Sequence, residues 1–130
     1  MKSDGAIRTD VYRHINRSGF MKSVNGKLSK TKRPHNSYKE DVVISILANE
    51  GTQLQTAILN VNIYVQDYNI DNQFEENTQR VDDLCEKSWK LLECFRTDEY
   101  VARVVNQRVY AVETGEHVIN NQVEYKLIND

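Results

Sequence analysis

The sequence predicts an α+β fold, with an antiparallel β-sheet, a long helix packed on one face, an N-terminal helix and a basic hairpin or loop. Clean apolar–polar alternation over 53–66 is typical of a strand with one buried face. An apolar stripe with helical spacing over 77–95 is typical of a helix that lies on a sheet. Stretches rich in Val and Ile at 100–112 and 117–128 complete the sheet, and the polar centre of the first predicts one bulged strand or two short ones.

Length and composition restrict the class of protein. The chain has 130 residues, 39% of them hydrophobic and 28% charged, which is typical of one globular domain and excludes wholesale disorder. It contains no apolar run of the ~18–20 residues that cross a bilayer, so we expect no membrane partner. Residues 1–17 lack the apolar core of a secretory signal, and two cysteines favour a reducing compartment.

The first elements follow from local signals. Ile7, Val11 and Ile15 recur every four residues and predict a helix, with a serine at position 3 before it and a glycine at position 19 after it. A β-branched stretch over 42–47 precedes the turn signal at 49–51, so it should pair with the strand at 53–66 as an antiparallel hairpin.

The segment 18–39 is the predicted insertion between the N-terminal helix and the sheet of a single domain, 1–130. Asn25-Gly26 between 20–24 and 27–29 is typical of a hairpin with a type I′ turn. The stretch 29–37 holds the one proline of the chain and indicates an extended connector.

Charge is divided unevenly along the chain. Residues 1–39 hold ten Lys/Arg and two Asp/Glu, a balance of +8, whereas 40–130 hold seven and seventeen, a balance of −10. This asymmetry indicates contact with nucleic acid or with a complementary neighbouring subunit, and a merely solvated loop is the alternative. The candidate interaction residues are those of the basic insertion: Lys22, Lys27, Lys30, Lys32, Arg33 and Lys39.

No pattern predicts catalytic chemistry, so we expect no enzyme, no catalytic residue, no cofactor and no metal. Phosphate-binding glycine loops, CxxC and HExxH are missing from the sequence. The three histidines, His14, His35 and His117, lack metal-ligand spacing. A metal-dependent nuclease using Asp41, Asp82 or Asp83 is a weaker alternative, because acidic residues near a helix start are usually matched to the helix dipole.

The order of elements resembles the tail-terminator, or tail-completion, proteins found at the neck of tailed bacteriophages. The words that carry the resemblance are Arg33-Pro34-His35-Asn36-Ser37, Glu40-Asp41-Val42-Val43-Ile44 and Asn60-Val61-Asn62-Ile63-Tyr64-Val65. They are similar to the segments that such proteins place around their two central strands, ahead of a helix. The basic insertion is longer than this family requires, so head-completion or stopper proteins remain alternatives.

The resemblance implies a structural virion protein, made in the cytoplasm of a host bacterium. Copies of it would form a ring, a hexamer in that family, which caps the tail tube and joins it to the head connector or portal. The basic segment would face a neighbouring subunit or passing DNA. A small nucleic-acid-binding module using 18–39 is the second hypothesis, although a pI of 5.9 is low for such a module.

Overall fold

The computed structural model describes residues 1–51, 55–112 and 115–128, and these adopt an α+β fold. In chain order its elements are α1 (Asp4–Ser18), a 3-10 turn (Phe20–Ser23), β1 (Leu28–Ser29), β2 (Val42–Glu50), β3 (Thr56–Gln66), β4 (Tyr68–Ile70), β5 (Gln73–Glu75), α2 (Thr78–Leu92), β6 (Phe95–Arg96), β7 (Tyr100–Val112) and β8 (Glu116–Leu127). In the described part of the chain, no helix is long and apolar enough to cross a membrane.

Six of the strands form one sheet in the order β1-β2-β3-β8-β7-β6, and β4 and β5 form a separate pair. All neighbours in the large sheet are antiparallel except β1 and β2, which are parallel. The predicted β2–β3 hairpin is confirmed by pairs such as Ile44↔Val61. The β7 stretch is one strand with a bulge at Val105, and a second bulge lies at Leu47 in β2.

The helix α1 begins and ends where the sequence predicts. The Ser3 hydroxyl accepts a hydrogen bond from the Ala6 amide at 3.2 Å, and Gly19 ends the helix with a φ of 81°. A left-handed φ favours glycine, because other residues pay a steric cost there. The predicted stripe is wholly buried, each of its side chains being 0% exposed: Ile7, Val11 and Ile15.

The helix α2 follows Asn77, whose side chain accepts a hydrogen bond from the Arg80 amide at 3.2 Å. It contacts β7 and β8, and Asn121 of β8 donates a hydrogen bond to the Ser88 hydroxyl at 3.2 Å. The inward residues Val81, Leu84, Ser88 and Leu92 are buried. The helix is shorter than predicted, since Phe95 belongs to β6.

The predicted hairpin at Asn25-Gly26 is wrong. A 3-10 turn replaces its first strand, and Leu28 of its second strand pairs in parallel with Val42. The glycine is needed for a different reason, because a Cβ at position 26 would lie 2.4 Å from the carbonyl carbon and oxygen of Glu40. The long-range parallel pairing therefore overrides the local preference of Asn-Gly for a tight turn.

Gly26→Ala should destabilise the protein by roughly 1–3 kcal/mol, because the new methyl group meets backbone that cannot rotate away. Gly5→Ala is the matched control, since a Cβ there meets nothing within 4 Å and alanine favours a helix. Urea unfolding of both variants measures the difference. Equal stability of the two would contradict the close approach of Gly26 to Glu40.

The strands β4 and β5 form a hairpin that the sequence did not predict. Asp71 and Asn72 connect its strands with φ angles of 52° and 63°, which is the pattern of a type I′ turn. Its large apolar side chains are about half exposed: Tyr68 at 48%, Ile70 at 56% and Phe74 at 57%. It is an apolar surface element beside the main sheet.

Candidate assembly surfaces

One edge of the large sheet is formed by β7 and is mostly unpaired. Strand β6 pairs only with Val101 and Ala102, and the described residues place no strand along the outer side of 103–112. This edge carries exposed apolar side chains at Val105 (43%), Val109 (37%) and Tyr110 (48%). Unpaired backbone groups flanked by apolar side chains are a template for pairing with another chain.

The opposite edge is formed by β2 and is free over most of its length. Strand β1 pairs only with Val42 and Val43, so within the described chain 44–50 pair with a strand on the β3 side alone, although the Asn49 side chain donates hydrogen bonds to the Lys2 carbonyl and to Asp4. Leu47, at the bulge, is 61% exposed. The two free edges differ in sequence and in charge, since Glu50 is exposed on β2 and Arg108 is exposed on β7.

Arg33 joins the basic segment 18–39 to the sheet through side-chain contacts, in addition to the pairing of β1 with β2. The Arg33 guanidinium donates hydrogen bonds to Asp41 at 2.7 Å and to both carboxylate oxygens of Glu116 at 2.7 and 2.6 Å. It also donates to the Lys39 carbonyl at 2.7 Å and lies 4.2 Å from the centre of the Tyr64 ring. The side chains of Asp41 and Glu116 are only 1% and 2% exposed, so this is a nearly dry ion network.

Asp41 accepts hydrogen bonds from three residues of the basic segment. Besides Arg33, it accepts hydrogen bonds from the Lys27 amide at 2.9 Å and from the Ser37 hydroxyl. Burial alone raises the pKa of this carboxyl, but the hydrogen bonds from Ser37, Arg33 and Lys27 outweigh burial and hold the pKa below the ordinary 3.8. Asp41 is therefore ionised, and its role here is to position the basic segment.

The remaining candidate residues differ from Arg33 because their side chains point to solvent. Lys30 is hydrogen bonded to the Thr9 hydroxyl at 3.3 Å and lies over the Tyr12 ring at 5.4 Å. In the described chain no carboxylate pairs with any of the following: Lys22, Lys27, Lys30, Lys32 and Lys39. Their contact with a neighbour or with DNA stays a prediction.

The three short segments on which the family resemblance rests contact one another in the structure. Arg33 and Ser37 of the first word contact Asp41 of the second, and Arg33 covers Tyr64 of the third. The buried Glu116 completes this cluster from 83 residues away. No sequence pattern identified Glu116, because it is the first residue of β8 and its burial depends on where that strand enters the sheet.

The other candidate groups lie apart. Among the described residues, no group of three or more His, Cys, Asp or Glu side chains is arranged to hold a metal ion. His14 bonds the Leu91 carbonyl at 2.7 Å, whereas His117 bonds Asp67 at 2.6 Å. Asp41, which the nuclease alternative would use as a metal ligand, forms an ion pair with Arg33.

Comparison of the chain with protein-family models gives no match, and comparison with curated proteins gives no relative.

Proposed function

We propose that this protein is a structural subunit that assembles head-to-tail into a ring, as a tail terminator at the neck of a tailed bacteriophage. The main support is that one sheet has two different free edges, formed by β2 on one side and β7 on the other. Two different patches that match each other give a heterologous contact, and such contacts close into rings when the rotation between copies allows it. Ring partners would be copies of this chain, with the tail tube and the head connector or portal as neighbours in the virion.

The two edges offer complementary chemistry. The β7 edge presents Val105, Val109 and the cationic Arg108, and the β2 edge presents Leu47 and the anionic Glu50. Strand addition would satisfy the free backbone groups of both edges, and the apolar side chains would be removed from water. The bulge at Val105 divides the free edge of β7 into 103–104 and a longer regular stretch at 106–112.

The proposal includes the finer arrangement predicted from the sequence, in which a long helix covers one face of the sheet. Contacts of α2 with β7 and β8 support it. The alternation of β3 supports it too, since Leu59, Val61 and Ile63 are buried while Asn60 and Asn62 are half-buried. A sheet covered on one face can place its edges between subunits without exposing its core.

Native mass spectrometry over a concentration series tests this function. We expect a single closed multimer, a hexamer by the resemblance, together with monomer and few open intermediates, because closure adds a contact that open chains lack. Negative-stain microscopy should show rings with a central opening. A monomer at all concentrations, or an unlimited ladder of open multimers, would contradict the proposal.

The exposed lysines of the basic segment should strengthen assembly or docking. We expect the triple variant Lys27→Gln, Lys30→Gln, Lys32→Gln to fold normally and to need about tenfold more protein for half-assembly, if each contact contributes ~0.5 kcal/mol. The control is Lys87→Gln, Lys90→Gln, which removes exposed cations of α2 that pair within their own helix. Analytical ultracentrifugation measures both, and unchanged assembly of the triple variant would make the segment a passive loop.

A nucleic-acid-binding module is the second candidate, favoured by the lysines of the basic segment that have no carboxylate partner in the described chain. Binding through phosphates weakens steeply as salt rises. Fluorescence anisotropy with duplex DNA at several salt concentrations distinguishes the two functions, because strong salt-dependent binding by a chain that never assembles would favour the module.

A further inference from the structure

A cleft of about 390 Å³ lies between the C-terminal half of α1 and the segment 95–100, beside β6 and outside the unpaired stretches 44–50 and 103–112. Its volume falls within the range of ~300–1,000 Å³ that is usual for small-ligand sites. Neither the proposed ring contacts nor the basic segment uses it, since its lining residues belong to α1, β6, the loop 97–99 and the start of β7.

The floor of this cleft is a rigid aromatic row. The rings of His14 and Phe95 are stacked at 3.9 Å with an interplanar angle of 2°, and Phe95 meets Tyr100 edge-on at 6.2 Å. Phe95 and Tyr100 are 6% and 5% exposed. The bond between His14 Nε2 and the Leu91 carbonyl fixes the imidazole, because a carbonyl accepts and Nε2 must then carry the proton.

The wall of the cleft carries three arginines: Arg13, Arg17 and Arg96. All three are exposed. In the described chain none of them has an ion pair or a side-chain hydrogen bond. Guanidinium groups bind phosphate oxygens through paired hydrogen bonds, and several around one cleft reinforce each other.

Three carboxylates also line the cleft, and two of them are already engaged. Lys2 Nζ lies 2.7 Å from both Asp10 and Glu99, and the Tyr125 hydroxyl donates to Asp10 at 2.7 Å. Asp98 is exposed and is the one remaining carboxylate of the lining. Lys2 offsets only one of the two carboxylates that it contacts, so the three arginines and Lys2 together exceed the three carboxylates by one positive charge.

We propose that this cleft binds a phosphate group, free or carried by a nucleotide or a nucleic-acid strand. The arginines hold the phosphate oxygens, and the aromatic floor provides an apolar surface for the rest of the ligand. This site goes beyond the proposed ring and does not depend on it, because the residues involved are separate from the β2 and β7 edges.

An NMR titration can follow ligand binding through the imidazole signals of the three histidines. Of these, His14 alone lines the cleft, so the other two serve as internal controls. Inorganic phosphate, a nucleoside monophosphate and a short single-stranded oligonucleotide should each be added at constant ionic strength. We expect the imidazole signals of His14 to shift with saturation, while those of His117, which faces Asp67 and Glu76, stay in place. A shift with the oligonucleotide alone would assign the phosphate to a nucleic-acid strand. No shift with any of the three would overturn the site.

Variants separate the site from general charge attraction. Arg17→Gln and Arg96→Gln should each weaken phosphate binding about tenfold, as expected for the loss of one charge-assisted contact. Lys126→Gln is the matched control, because Lys126 is also exposed but lies on β8, outside the cleft and outside both free edges. Equal weakening in all three variants would show non-specific attraction and would overturn the proposal.

Discussion

Arg33→Ala should lower the free energy of unfolding by about 3–5 kcal/mol, because it removes the guanidinium that two buried carboxylates, Asp41 and Glu116, share. Asp41 and Glu116 are 1% and 2% exposed, so water does not replace the guanidinium. For a chain of 130 residues this corresponds to a fall of roughly 10–20 °C in melting temperature. Urea and thermal unfolding measure the loss, and Lys32→Ala, an exposed neighbour, should change stability by less than about 0.5 kcal/mol.

The pH dependence gives the same prediction a second readout. In the wild type the pKa of Asp41 is held below 3.8, so its stabilisation is present above that pH and is lost as the pH falls through the native value. Without Arg33, burial is opposed only by the hydrogen bonds from Ser37 and Lys27, so the pKa of Asp41 should rise and the loss of stability in acid should become smaller. A variant with the wild-type acid profile would show that Arg33 does not hold the carboxylate of Asp41.

The second large effect concerns the free edge of β7. We expect Val105→Lys, Val109→Lys to weaken assembly on the order of a hundredfold or more, because pairing would bury ammonium groups without partners. Edge lysines are a common means by which proteins prevent strand addition. The monomer should keep its stability, since Val105 and Val109 are 43% and 37% exposed before any substitution.

The matched control for this variant is Ile128→Lys. Ile128 is 37% exposed, as is Val109, but it follows the end of β8 and lies on neither free edge. Native mass spectrometry and sedimentation velocity compare the wild type, the double variant and the control. Normal rings from the double variant, or an equal loss of rings in the control, would contradict pairing through β7.

Local periodicity predicted the elements that depend on a single buried face. The stripe of α1 and the alternation of β3 are reproduced residue by residue in the burial of Ile7, Val11, Ile15, Leu59 and Ile63. These patterns survive because each element buries one face, whatever its neighbours are. The α+β class followed from the order of such elements.

Contacts between distant segments could not be predicted in this way. The preference of Asn25-Gly26 for a tight turn gave way to the parallel pairing of β1 with β2, which depends on tertiary packing. The sequence places Arg33 among the interaction residues of the basic segment, because nothing in its surroundings along the chain identifies Glu116 as a partner 83 residues away. Charge asymmetry in a sequence therefore does not show whether opposite charges meet within one molecule or between molecules.

The central place of β8 in the sheet has a consequence for the order of folding. It lies between β3 and β7, although it follows both in the chain, and its pairs with β3 reach from Gln66↔Glu116 to Thr56↔Lys126. Such distant pairings slow folding, because loop entropy is lost before the contacts form. Before β8 pairs with β3, the edge of β3 that faces β8 is unpaired. Arg33 cannot yet form its hydrogen bonds with Glu116, which belongs to β8. In a newly synthesised chain the basic segment can therefore bind Glu116 only after β8 has filled the middle of the sheet.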